Sequence, residues 1–144
     1  MTAVKPAGLG WVHRILMLFV IINIIGDVGN VMFWWVNPDS RISLIPSIIG
    51  NAAGGNTALI AGTVTLLVVA VIYAVGLFGL MKRRLWAPLL IIAISVANRA
   101  LALVLYQISV AFTFWLVWTI ILVVVSYLDW RKMKAVSAAP APAA

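Results

Sequence analysis

Four long apolar stretches, separated by short polar or turn-forming interruptions, set the pattern of the chain. The first reads WVHRILMLFVIINIIGDVGNVMFWW from Trp11 to Trp35. A run of that length with so little charge predicts a membrane-spanning helix over residues 12–36. The turn-forming Asn37-Pro38-Asp39-Ser40 closes it. A second span is expected over 57–81, ending at Lys82-Arg83-Arg84. A third is expected over 85–108, with Pro88 in its first turn, where a missing N–H costs little. A fourth follows over 110–128 after a connection so short that the last two spans form an antiparallel hairpin. Between the first two, Ile42, Leu44, Ile45, Ile48 and Ile49 are interrupted by Pro46 and Gly50. Residues 37–56 therefore read as an outer loop with a short interfacial segment, not a crossing helix. Residues 1–10 read as a flexible N-terminus and 135–144 as a disordered Ala/Pro tail. The fold class expected is all-α, a four-helix transmembrane bundle forming one domain over 11–134.

Composition makes the membrane reading firm. The 144 residues are 65% hydrophobic, with 10 Lys and Arg against 3 Asp and no Glu. The mean hydropathy is +1.18. A soluble domain needs far more surface charge than that. With no cysteine in the chain, disulfides, thiolate metal sites and thiol nucleophiles are excluded.

Charge adds the orientation. With both termini cytoplasmic, Lys5, Arg14, Lys82, Arg83, Arg84, Arg131, Lys132 and Lys134 all lie inside. Only Arg41 lies outside, and Arg99 falls within a span. This bias predicts N-in/C-in, with the chain multi-pass in a plasma (inner) membrane. Trp11, Trp86 and Trp130 then mark the inner interface, and Trp34 and Trp35 the outer one. The net charge of +7 sits in clusters beside the spans, which suits topology and lipid headgroups and not a nucleic-acid partner.

Candidate chemistry is sparse. Asn23, Asp27 and Asn30 share one helical stripe in the first span. Ser95, Arg99 and Tyr106 share another in the third, with Asn98 at its edge. An aspartate inside a bilayer costs roughly 2.5–3.5 kcal/mol on insertion scales, so Asp27 is expected to face protein or water. In parallel first and third spans, Asp27 and Arg99 come out at a matching depth of roughly 17–20 Å from the inner edge. A guanidinium fork fits a carboxylate bidentately. The expectation is an intramembrane polar site built on Asp27 and Arg99, with Asn23, Asn30, Asn98 and Tyr106 satisfying what remains.

No enzymatic activity is expected, because acid–base work wants paired carboxylates or a histidine beside one. His13 is the sole histidine, so no metal or haem site from one chain is expected, and it reads as an interfacial headgroup contact. No catalytic, cofactor-binding or metal-binding residue is assigned. Small multidrug-resistance exporters are similar in size and layout, with four spans and an acid in the first. They rely on a glutamate without an arginine partner, however, and many insert in both orientations, so no membership is inferred. The functional expectation is a small polytopic protein working through protein–protein contacts, as an accessory subunit or a homo-oligomer, with the lipid bilayer and other membrane subunits as partners. A small-solute or ion transporter using Asp27 and Arg99 is the second expectation.

Overall fold

The structure, a computed structural model, describes residues 10–36, 47–105 and 110–138. The side chains of 34, 47–59, 101–105 and 110–112 lie outside that description. Every described element is helical: α1 (Gly10–Val36), α2 (Ser47–Met81), α3 (Trp86–Leu105) and α4 (Val110–Ala138). Three of them contain stretches long and apolar enough to cross a membrane, namely Gly10–Phe33, Ile60–Met81 and Thr113–Ala138. In α3 the described apolar stretch, Trp86–Ala100, is shorter. Even so, the 20 residues of α3 rise about 30 Å, close to the thickness of a hydrocarbon core.

Two helix boundaries differ from those expected. Helix α2 begins at Ser47, ten residues early, and runs 35 residues through Gly50, Gly54 and Gly55. Pro46 disrupts only the backbone upstream of it, so a helix can start directly after it. Glycine's poor helix propensity is a small penalty beside leaving backbone N–H and C=O groups without partners in an apolar setting. The interfacial segment expected over 42–49 is thus helical from Ser47 onward, and residues 42–46 fall outside the described part. Helix α4 continues ten residues past its expected end at Leu128. Polar residues end the apolar span there, but Arg131, Lys132, Met133, Lys134 and Ala135 are good helix formers and do not end the helix. The expected disordered tail therefore begins within α4, and 139–144 lie outside the described residues.

The helices close into a ring in which α1 packs on α2 and α4, and α3 packs on the same two neighbours. Trp35 Nε1 donates to Thr63 Oγ1 (3.1 Å) where α1 ends and α2 begins its crossing. At the opposite end His13 meets Asp129. The path is therefore up-down-up-down, with the start of α1, the α2–α3 turn and the end of α4 at one end of the bundle. That end is the basic one.

The core lies in the half of the bundle nearest that end. Leu16, Val20, Leu80, Ile91 and Leu122 are buried there against Val69, Tyr73 and Ala87. On α4 the buried positions are Thr119, Leu122, Ser126, Asp129 and Met133, at alternating three- and four-residue steps. On α1 His13, Leu16 and Val20 follow the same steps. This is the seam spacing of closely packed antiparallel helices. Elsewhere the spans present large apolar side chains outward, among them Ile25, Met32, Val64, Val68, Phe114 and Val117. In lipid that is the favoured arrangement, since acyl chains are as apolar as leucine.

The α2–α3 turn is tied by backbone geometry. Arg84 N donates to Gly79 O (2.9 Å) and Arg83 N to Leu80 O (2.8 Å). This is a Schellman cap, and it puts Arg83 in the left-handed region at φ 51°. A non-glycine residue pays about 1–2 kcal/mol for that conformation. One turn earlier, Gly79 lets the helices approach closely. A Cβ there would stand 2.6 Å from Trp86 Cη2 and 2.7 Å from Ala87 Cβ. Gly79→Ala is expected to destabilise the bundle by about 1–3 kcal/mol, the usual cost of overpacking. Gly26→Ala, whose Cβ meets nothing within 4 Å, is expected to leave it unchanged or slightly more stable. Unfolding of both variants in one mild detergent checks the contrast.

Candidate functional site

Polar side chains from all four helices collect where the tight core gives way to the looser half. On α2 and α3, Tyr73 OH and Ser95 Oγ lie 2.9 Å apart, both residues buried. Ser95 Oγ donates its single hydrogen to Ile91 O (2.6 Å), so Tyr73 is the donor in the pair. One turn along α3, Arg99 Nε donates to Thr119 Oγ1 (3.2 Å) on α4, and Thr119 in turn donates to Trp115 O (2.8 Å). On α1, Asn23 Nδ2 donates to Phe19 O (2.8 Å). Asn23 Oδ1 accepts from Trp118 Nε1 (3.4 Å), whose ring leans on Phe19 with centroids 4.8 Å apart. Asp27 lies within electrostatic reach of Arg99 and Tyr73. Its Oδ2 is buried without a hydrogen-bond partner among the described residues.

The positions expected from the sequence thus separate into groups. Asn23, Asp27 and Arg99 reach the layer. Asn98 is half-buried on α3 and Asn30 is exposed on α1. Tyr106 lies outside the described residues. Tyr73, Trp118 and Thr119 belong to the layer although the sequence reading gave them no part in it. Tyr73 shares its span with Thr63 and Thr65, and the sequence alone does not say which of these hydroxyls crosses to a neighbouring helix.

A second polar contact sits at the basic end. His13 Nδ1 and Asp129 Oδ2 are 2.9 Å apart, and Asp129 is fully buried. This corrects the reading of His13 as a headgroup contact. Its ring is turned into the bundle because it lies on the stripe that carries Leu16 and Val20. When Asp129 is ionised it can only accept, so the hydrogen then sits on His13 Nδ1. Asp129 Oδ1 and, one turn before it, Ser126 Oγ are buried without partners among the described residues.

Between α3 and α4 an open groove of about 340 Å³ faces outward. Val96, Ala100, Ile120 and Val124 wall it, and Arg99 and Thr119 border it with the apolar parts of their side chains. The described residues contain no group of three or more His, Cys, Asp or Glu side chains able to hold a metal ion. No protein-family model matches the chain, and no curated protein or solved structure shows a significant similarity to it.

Proposed function

We propose that the chain is a multi-pass protein of a plasma (inner) membrane that works through protein–protein contacts, as an accessory subunit of a larger complex or as a small homo-oligomer. The groove between α3 and α4 carries this reading. An arginine at mid-span beside a groove in the outer wall is costly against lipid. A helix from another subunit, seated between Val96, Ala100, Ile120 and Val124, would remove it from the acyl chains. On this reading Asp27 and Arg99 form an ion pair that sets the register of α1 against α3. The test is native mass spectrometry after mild-detergent purification. A defined hetero- or homo-oligomer is expected, and it should be lost in Ala100→Trp and Val124→Trp, which fill the groove. A monomer indifferent to both variants would overturn the reading.

A second reading is supported by the orphaned Oδ2 of Asp27. An intramembrane carboxylate beside an arginine and a tyrosine could serve a small-solute or ion pathway. Solute flux into liposomes that Asp27→Asn abolishes would favour it.

The proposed orientation is N-in/C-in. In a chain without cysteine, a single cysteine at Asn51 is expected to react with an impermeant thiol reagent from outside. One at Ser137 is expected to stay protected until the membrane is breached. The reverse pattern would invert the bundle.

A further inference from the structure

Seven of the ten Lys and Arg residues in the chain lie at one end of the bundle: Arg14 at the start of α1, Lys82, Arg83 and Arg84 in the α2–α3 turn, and Arg131, Lys132 and Lys134 on α4. All seven are exposed. The only acid at that end among the described residues, Asp129, is fully buried and turned toward His13. The outer face there therefore carries a strong net positive charge.

Three of the cations sit over aromatic rings. Lys82 Nζ lies 5.6 Å from the Phe78 centroid, Lys132 Nζ 5.7 Å from Trp11, and Lys134 Nζ 5.1 Å from Trp130. Tryptophans of this kind settle at headgroup depth, and lysine stems lie along apolar surface while their charges reach outward. In the ring of helices, the α4–α1 side and the α2–α3 side are opposite each other, so the charge encircles the bundle and does not converge on one point. Arg83 strengthens the case. Its position demands φ 51°, where glycine is the unstrained choice, and strain of this kind points to a role for the side chain.

We propose that this end of the bundle seats anionic phospholipids, with their headgroup phosphates drawn to two opposed cationic flanks, Lys82–Arg84 on one and Arg131, Lys132 and Lys134 on the other. A ring of charge at interface depth fits a leaflet of lipids, whereas a free phosphate ion needs donors converging on one pocket. Each cation near an anionic surface contributes attraction worth about a fivefold change in partition.

The test uses the full chain, reconstituted in vesicles of equal parts phosphatidylglycerol and phosphatidylcholine, extracted in mild detergent, and analysed for the lipid it retains. Phosphatidylglycerol is expected to be several-fold enriched over the bulk. Enrichment should fall toward the bulk ratio in Lys132→Gln/Lys134→Gln and in Lys82→Gln/Arg84→Gln, and persist in Arg84→Lys and Arg131→Lys. Raised ionic strength should weaken it in the wild-type chain, an arm that needs no variant to fold. Retention equal to the bulk ratio would overturn the proposal. So would displacement of the lipid by inorganic phosphate at constant ionic strength, which would mark a site for the free anion.

Discussion

His13→Ala is expected to destabilise the bundle by about 3 kcal/mol, the upper end of the cost of leaving a buried polar group without its hydrogen-bond partner. Asp129 is fully buried and its Oδ1 already has no partner, so losing the imidazole would leave neither carboxylate oxygen bonded. Asp129→Asn should cost less, because an amide of the same shape can still bond to the ring. The double change His13→Leu/Asp129→Leu should recover most of the loss, since replacing both partners of a buried hydrogen bond by well-packed apolar groups costs little. Leu16 and Leu122 already supply apolar core in the same half of the bundle. Unfolding in detergent, followed by helicity, measures each variant. If the double loss is the sum of the single losses, the two side chains are not coupled.

That contact shows where sequence reasoning reached and where it stopped. The apolar runs are so long that four helices, their order and the membrane setting were legible from hydropathy alone. So was the polar stripe of Asn23 and Asp27. Carried backward at three- and four-residue steps, the same stripe passes through Val20, Leu16 and His13, so the inward aim of His13 was also written in the spacing. Its partner was not. His13 and Asp129 lie 116 positions apart, and pairing them requires the register of α4 against α1. That register depends on α4 remaining helical beyond Leu128, through a stretch whose charges look like the end of a span. The layer around Tyr73, Ser95 and Thr119 was hidden for a related reason. Hydroxyls in a span commonly bond to their own helix, as Thr65 does to Ala61 O at 2.8 Å. Only the packing of neighbouring helices tells which of them cross over. Asn30 illustrates the converse, because it shares the stripe but falls in the looser half, where the helical pattern no longer implies burial.

Arg99→Gln is expected to cost about 3 kcal/mol or more, and Asp27→Asn appreciably less. The asymmetry follows from what each change leaves behind. Without Arg99, the Asp27 carboxylate keeps an orphaned, buried Oδ2 and loses the nearby positive charge of Arg99, and stranding a partly buried charge in this way is expensive. Without the Asp27 charge, the guanidinium still donates to Thr119 Oγ1, so the arginine keeps a hydrogen-bond partner. The double substitution Asp27→Asn/Arg99→Gln puts two neutral amides in place of the charges and should be more stable than Arg99→Gln alone. That rescue is the decisive reading, because it distinguishes a coupled pair from two separate polar positions. A double mutant that is less stable than Arg99→Gln would break the link between α1 and α3. The proposed register would then have to come through the bonds that α1 and α3 make to α2 and α4, such as Tyr73–Ser95, Asn23–Trp118, Trp35–Thr63 and His13–Asp129.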